Sequence, residues 1–244
     1  MVNKKNNNNL LPLLLFVGMF FCAPSCKKDT GTTPDVGYSY FPNTVGRYVV
    51  YDVDSVVYDD FLQDTLYYKF RIKEKAESVY ADNSGRPTIR LERYRKMYYA
   101  NKSYDSIPWT LKDIWAENRT ATAAEKVEEN IRYVKLIFPV EKGATWNGNS
   151  FNTFSEWKYK YTSVDKPAVY GSLNFDSTVF VTQTDYQDLI QKKYYVEVFA
   201  RNVGMIYKEA FDVYSDNIKP GIPVEDRIKA GTHTKMTVVS YGTE

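Results

Sequence analysis

Residues 48–55 read YVVYDVDS, and this stretch decides the fold class. Alternate positions fall on opposite faces of an extended chain: Tyr48, Val50, Asp52 and Asp54 on one, Val49, Tyr51, Val53 and Ser55 on the other. β-Branched and aromatic side chains that recur with a period of two predict a half-buried β-strand.

The same pattern recurs along the rest of the chain. Further runs rich in Tyr, Val, Phe, Thr and Ile lie at about 65–77, 88–99, 108–118, 132–138, 155–164, 178–182, 194–200, 204–214 and 235–241. Turn-forming residues separate neighbouring runs at Asp82–Gly85 and Arg201–Gly204. The pattern predicts an all-β protein, an antiparallel β-barrel or a curved two-sheet sandwich with at most one or two short helices.

Two segments carry helix signals. Thr184–Lys193 has a possible Thr184 N-cap, spaced apolar residues and late lysines, which predict a short helix or turn. Ala121–Asn130 is compatible with a helix and equally with the continuation of a long hairpin.

A short motif, F-P-x-x-x-G, occurs twice, at Phe41–Gly46 and at Phe138–Gly143. Proline cannot donate to a strand ladder and glycine tolerates a positive φ, so the motif is typical of a turn at a strand edge. The repeat is explained by two independent occurrences of a favourable turn sequence. A duplicated half-barrel is the alternative.

The N-terminus has the layout of a signal peptide. Lys4 and Lys5 precede an apolar stretch at Leu10–Phe21, which is shorter than the roughly 20 residues that a membrane-spanning helix needs. Small residues follow at Ala23–Ser25, directly before Cys26. This order predicts a lipoprotein signal peptide at residues 1–25, cleaved before Cys26.

The run Ser25-Cys26-Lys27-Lys28-Asp29 resembles the processing site of lipoproteins of the Bacteroidota. The resemblance implies that the Cys26 thiol carries diacylglycerol and that the protein is held in the outer membrane by acyl chains such as palmitate. Several chains give a stable anchor, because each buried methylene contributes about 0.8 kcal/mol. Cys22 is the rival cleavage site and a Cys22–Cys26 disulfide the other alternative, but Phe20 and Phe21 are bulky for a lipobox.

The composition, rich in Thr, Gly, Pro and Asp, predicts a lipidated flexible tether at residues 26–37, and the rest of the chain, residues 38–244, is predicted to form a single β-rich domain. The whole chain has 32 basic and 30 acidic residues, and loss of Lys4 and Lys5 leaves the mature protein balanced. A balanced chain offers no net field for phosphates, which argues against nucleic acid as a partner.

The F-P-x-x-x-G motifs, Val203–Glu209 and the closing Ser240-Tyr241-Gly242 together resemble uncharacterised envelope lipoproteins of the Bacteroidota. The resemblance covers most of the mature domain and rests on turns and strand edges. It implies a compartment and a fold, and it carries over no functional residues.

Residues for common catalytic chemistry are scarce. His233 is the one histidine, no G-x-S-x-G elbow accompanies it, and it is interpreted as an exposed loop residue. One histidine and a lipidated cysteine cannot build a zinc site, and no cofactor fingerprint is present. The carboxylate groups that keep a glycoside hydrolase or a calcium site open are Asp52 with Asp54, Asp59 with Asp60, and Glu128 with Glu129.

Aromatic residues are the feature above background, at 16% of the chain with 22 Tyr, 13 Phe and 4 Trp. Trp157, Tyr159 and Tyr161 alternate along one strand and are the candidate ligand-binding residues, although a core role explains them as well. A ligand in a barrel lumen is the default site for this fold class.

Three functions follow as hypotheses. The first is a non-catalytic envelope lipoprotein that binds an amphiphile, a glycan or a protein partner. A hydrolase with a carboxylate pair and a structural subunit of an envelope assembly are the alternatives.

Overall fold

Twelve antiparallel strands form one sheet in the computed structural model, which describes residues 34–244. The strands are β1 (Arg47–Asp59), β2 (Asp64–Ala81), β3 (Pro87–Met97), β4 (Thr110–Arg119), β5 (Ala123–Glu128), β6 (Ile131–Ile137), β7 (Thr145–Asn147), β8 (Lys158–Tyr170), β9 (Leu173–Gln187), β10 (Gln191–Ala200), β11 (Gly204–Tyr214) and β12 (Ala230–Thr243). Helical structure in these residues is limited to single 3₁₀ turns at Tyr38–Tyr40, Tyr104–Ser106 and Val224–Asp226. The all-β prediction is confirmed.

The sheet is a meander that nearly closes on itself. Its order is β6-β5-β4-β3-β2-β1-β12-β11-β10-β9-β8-β7, so the first strand pairs with the last and β6 and β7 are left as the two edges. The observed architecture is therefore the barrel alternative of the prediction. No helix among residues 34–244 is long and apolar enough to cross a bilayer.

Side chains bridge the seam between β6 and β7 where strand pairing stops. The Tyr161 hydroxyl accepts a hydrogen bond from the Ile137 amide at 2.8 Å and donates one to the Ile137 carbonyl at 2.7 Å. Trp146 Nε1 donates to the Val134 carbonyl at 2.9 Å, and Asn152 donates to the Arg132 carbonyl at 2.9 Å. These bonds satisfy edge groups that would otherwise offer a template for aggregation.

The period-two pattern of β1 places its odd-numbered residues inside. Tyr51 lies opposite Ile72 of β2 and Val238 of β12, and paired residues share a face of the sheet. All three side chains are buried, whereas Asp52 and its partner Arg71 lie on the outer face.

Because the strands alternate in direction, their connections collect at two ends of the barrel. We call the end with the connections 82–86, 120–122, 138–144, 171–172 and 201–203 the proximal end, where the described chain also enters. The distal end has the connections 60–63, 98–109, 129–130, 148–157, 188–190 and 215–229.

The two F-P-x-x-x-G motifs occupy equivalent places in two six-stranded halves, directly before β1 and before β7. Gly46 donates its amide to the Ala76 carbonyl of β2 at 2.7 Å, and Gly143 donates to the Tyr161 carbonyl of β8 at 2.8 Å. Each glycine thus binds the second strand of its own half. This correspondence favours the duplicated half-barrel over convergent turns.

Of the two alternatives for Thr184–Lys193, a short helix or a turn between strands, the structure has the turn. These residues finish β9, turn at 188–190 and begin β10. The Asp188 side chain accepts hydrogen bonds from the amides of Ile190 and Gln191, so it closes a tight turn between the strands. Of the two alternatives for Ala121–Asn130, the structure has the hairpin, which includes β5.

Candidate functional site

The aromatic residues that the sequence singled out lie mostly in the core. Tyr159 and Tyr161 in β8 are buried, and Trp157, directly before β8, is half-buried. The ring centre of Trp146 lies 5.8 Å from that of Tyr159 and 4.5 Å from that of Tyr161, and Trp157 packs on Tyr195 at 5.1 Å. These side chains build the interior and the seam.

The outward carboxylates of β1 are engaged with cations. The Arg71 Nε atom lies 2.6 Å from Asp52 Oδ1, and the Lys69 ammonium lies 3.3 Å from Asp54. Cross-strand pairs of this kind are ordinary on a solvated sheet face.

Asp59 and Asp60 stabilise a turn and bind a cation. The Asp59 carboxylate accepts hydrogen bonds from the amides of Phe61 and Leu62, and Asp60 lies 3.6 Å from the Lys229 ammonium. Within residues 34–244 no group of three or more His, Cys, Asp or Glu residues is placed to hold a metal ion.

The interpretation of His233 as an exposed loop residue is wrong. His233 lies in β12, half-buried, with Nε2 2.8 Å from Glu209 Oε1 and its ring centre 4.7 Å from that of Phe211. The Tyr207 hydroxyl donates to the other oxygen of Glu209 at 2.7 Å. Glu209 is thereby fixed by neighbours on the sheet surface.

Charged side chains project into the barrel, which the sequence reasoning did not foresee. Glu74 is contacted by the Lys126 ammonium at 2.7 Å and by Arg93 Nε at 3.0 Å. Lys126 also lies 3.7 Å from Glu117, which forms an ion pair with Arg47. Glu74, Arg93, Glu117 and Lys126 are all buried.

A second buried group joins β6 to β10. The Lys135 ammonium lies 2.7 Å from Glu197 and 2.9 Å from Glu128, and Lys208 lies 3.4 Å from both carboxylates. Burial alone would raise the pKa of Glu197, but the ammonium groups of Lys135 and Lys208 outweigh it, and the pKa is lowered. The group is therefore held in its charged form.

The expectation of a ligand-holding lumen is wrong. The cavity enclosed by the two charged groups, together with Tyr51 and Phe199, has a volume of about 10 Å³. A space of that size holds one water molecule at most. The interior is filled by ion pairs between buried side chains of opposite charge and by the aromatic side chains that pack around them.

One signal in the sequence could have revealed this interior. Lys135 is a lone charge in the apolar run VKLIF, and Glu197 is a lone charge in YYVEVFA. An isolated charge inside an apolar strand is costly unless a partner of opposite sign meets it. Two such residues of opposite sign predict each other as partners.

The first described residues, including Asp35 and Tyr40, are attached to the barrel at its proximal end. Arg201 forms ion pairs with Asp35 and, at 2.8 Å, with Asp165, and the Tyr40 hydroxyl donates to Asp165 at 2.6 Å. The hydrogen bonds from Tyr40 and Arg201 lower the pKa of Asp165 to about 2. A backbone bond from Val140 to the Val36 carbonyl adds to the attachment.

Exposed apolar side chains gather at the distal end. Five distal loops carry two each: Phe61 and Leu62, Tyr98 and Tyr99, Phe151 and Phe154, Leu189 and Ile190, and Ile218 and Ile222. Phe61, at a loop tip, is 93% exposed. The five proximal connections hold no exposed large apolar residue, and those near that end lie in the turn before β1 or at strand ends: Val45, Val79, Tyr80, Val169 and Tyr241. A grouping of exposed apolar residues at one end is typical of an interaction surface.

No protein-family model and no curated protein matches the chain. A crystal structure from Bacteroides fragilis, of a protein assigned as exported with a YmcC-like fold, covers 83% of this chain and 98% of its own at 10% identity, with a TM-score of 0.37. An outer membrane lipoprotein-sorting protein domain from Vibrio parahaemolyticus covers 83% and 87% at 10% identity, with a TM-score of 0.21. Likenesses at these TM-scores carry no conclusion about function. The chain's own geometry defines a nearly closed, twelve-stranded β-barrel with a filled interior and an apolar distal rim.

Proposed function

We propose that this protein is a non-catalytic lipoprotein of the cell envelope that binds an amphiphile or a glycan at its distal end. The supporting observation is the opposition of the two ends. Asp35 is attached at the proximal end, and the five pairs of exposed apolar loop residues lie at the distal end. Cys26, which is proposed to carry the lipid, lies outside the described residues.

This polarity suits a tethered receptor. A lipid on Cys26 would hold the barrel through the chain that meets it at the proximal end, and the distal loops are at the end of the barrel opposite that attachment. Tyrosine and phenylalanine stack on sugar rings or acyl chains, and the exposed leucine and isoleucine residues widen the apolar surface. The resemblance to Bacteroidota lipoproteins makes the outer membrane the proposed location.

A hydrolase finds less support. Asp52, Asp54 and Asp60 each face a cation, and Asp59 is engaged by backbone amides. Glu128 is half-buried and forms an ion pair with Lys135. A retaining or inverting glycosidase needs two carboxyl groups facing one cleft, and these residues do not form such a pair.

The anchor is tested by Cys26→Ala in cells that process lipoproteins. We expect the wild-type protein in the membrane fraction, with incorporation of labelled palmitate, and we expect the variant to lose the label. Equal labelling of both proteins would refute lipidation at Cys26.

The distal surface is tested with the lipidated protein in phosphatidylcholine nanodiscs, applied to an array of glycans and bacterial envelope amphiphiles. Phe61→Ser with Leu189→Ser removes two exposed distal residues, and Val169→Ser with Tyr241→Ser removes two exposed residues away from that end. We expect wild type and the second variant to bind the same array members and the first to lose them. Loss in both variants, or in neither, would contradict the proposal.

A further inference from the structure

A depression at the distal end lies between the end of β3 and the start of β4. It has a volume of about 410 Å³, within the range of small-ligand sites. Its charged lining consists of Arg95, Lys96, Lys102 and Lys112, and no carboxylate lines it. We infer that this pocket binds a phosphate group of the distal ligand, an inference that rests on the proposed function.

The local excess of positive charge is a property of the fold, because the mature chain is balanced overall. Most cations elsewhere in the described residues form a salt bridge, including those inside the barrel, and the ones that do not are spread over the surface: Arg119, Lys142, Lys158, Lys160, Lys166, Lys219 and Arg227. Among the described residues, Arg95, Lys96 and Lys102 form no salt bridge, whereas Lys112 lies 2.6 Å from Asp113. Asp113 is shared with the buried Arg93 at 3.0 Å, so it neutralises Lys112 only in part.

Neutral groups hold two of these cations in place. The Lys96 ammonium donates to the Tyr104 carbonyl at 3.0 Å and lies 4.5 Å from the ring centre of Trp109. The Lys102 ammonium lies 5.7 Å from the ring centre of Tyr99. Aromatic faces attract a cation without cancelling its charge, so the pocket keeps its positive potential.

The charge count favours phosphate over a single carboxylate. A phosphate monoester carries about −1.5 to −2 at neutral pH and presents three acceptor oxygens. Arg95 offers a planar guanidinium that can bind two of those oxygens at once, and the lysines add point charges. Ser106 and Thr110 also line the pocket and supply hydroxyl groups.

The rim of the pocket suits the rest of an organic ligand. Tyr99 and Leu111 line it and are each about half exposed. A sugar ring or the glycerol and upper acyl part of a lipid could pack on them while the phosphate is held below. The same phosphate monoester can come from a free sugar phosphate or from the headgroup of phosphatidic acid.

The test uses the lipidated protein in phosphatidylcholine nanodiscs and three probes: inorganic phosphate, glucose 1-phosphate, and vesicles containing phosphatidic acid. The pocket variant is Arg95→Gln with Lys102→Gln. The charge-matched control is Lys158→Gln with Lys160→Gln, two exposed lysines of β8. Near-ultraviolet circular dichroism checks that both variants are folded, and Arg95→Lys keeps the charge while it removes the planar fork.

We expect wild type and control to bind at least one probe with the same Kd, and the pocket variant to bind it about tenfold or more weakly, because two charge-assisted contacts are lost. Arg95→Lys should fall between them. Binding of glucose 1-phosphate without binding of vesicles assigns a free ligand, and the reverse assigns a headgroup. Absence of binding by wild type, or equal loss in the control, overturns the inference.

The array with the Phe61→Ser and Leu189→Ser variant separates the two proposals. If that variant loses its array ligands while the phosphate probes show no effect of Arg95 and Lys102, the phosphate pocket is wrong and distal binding stands. If the array shows no distal dependence, the proposed function itself fails.

Discussion

At the scale of single residues, Lys135 and Glu197 form an ion pair that is almost fully withdrawn from water, with 4% and 0% of the side chains exposed. Removing one partner of such a pair leaves an uncompensated buried charge, which typically costs about 3–5 kcal/mol. We therefore expect Lys135→Met to lower the free energy of unfolding by about that amount, measured by urea denaturation.

The double variant Lys135→Met with Glu197→Leu is the control for this prediction. It removes both charges and leaves Glu128 with Lys208, so the interior stays balanced. Replacing a whole buried pair by apolar side chains is often neutral. Recovery of most of the lost stability would show that the unpaired charge causes the loss, and a double variant as unstable as the single one would contradict it.

At the scale of the elements, the Tyr161 hydroxyl satisfies both backbone groups of Ile137 at the seam. Tyr161→Phe leaves a buried amide and carbonyl without this partner, and each such group costs about 1–3 kcal/mol. We expect lower stability and faster hydrogen exchange at the Ile137 amide. Tyr186→Phe, which removes an exposed hydroxyl bonded to Asp188, should leave stability nearly unchanged.

The two F-P-x-x-x-G turns offer a matched comparison. Gly46 and Gly143 have nearly the same φ, +86° and +89°, where an L side chain is strained by about 1–2 kcal/mol. A Cβ at Gly143 meets nothing within 4 Å, but one at Gly46 would lie 2.9 Å from the Glu244 carbonyl oxygen. In thermal denaturation, Gly143→Ala should lose only the stability that the backbone strain costs, and Gly46→Ala should lose more because of the added clash. Equal losses would mean that the C-terminal strand end yields freely.

Much of the element scale could be predicted from the sequence, because alternation is a local property. Ten strands coincide with runs of period two, but β5 and β7 do not. β5 reads AAEKVE, which lacks aromatic residues, and β7 is three residues long. The helix alternative at Thr184–Lys193 did not form, because a period-3.6 pattern can arise by chance in the ends of two strands joined by a turn.

At the scale of the whole molecule, the fold class and the two ends were within reach of the sequence, but the site was not. Trp157, Tyr159 and Tyr161 alternate as a ligand face would, and only the closure of the barrel decides that this face points inward. The distal rim depends on loops far apart in sequence, such as those of Phe61 and Leu189. Their proximity follows from the pairing of β1 with β12, which no local pattern contains.

The buried carboxylates make acid sensitivity a property of the whole barrel. Burial would raise the pKa values of Glu74, Glu128 and Glu197, but the neighbouring cations lower them below the usual 4.5. Below about pH 4.5 the carboxylates are protonated in the unfolded chain but stay ionised in the folded barrel. Their contribution to the free energy of unfolding is therefore present above that pH and is lost as the pH falls. The melting temperature should therefore drop steadily from pH 5 to pH 3.

The loss of stability at alkaline pH arises from groups whose pKa is raised in the folded barrel. Burial raises the pKa values of Tyr51, Tyr159 and Tyr161 above the usual 10.0, so their contribution is present below pH 10 and is lost as the pH rises beyond it. Melting curves from pH 3 to pH 11 should give a plateau between two declines. Tyr161→Phe should flatten only the alkaline decline. Lys135→Met with Glu197→Leu should flatten the acid decline and also part of the alkaline one, because Glu128 and Glu197 raise the pKa of Lys135. A melting temperature that stays constant from pH 5 to pH 3 would show that these carboxylates do not keep their charge in the folded barrel.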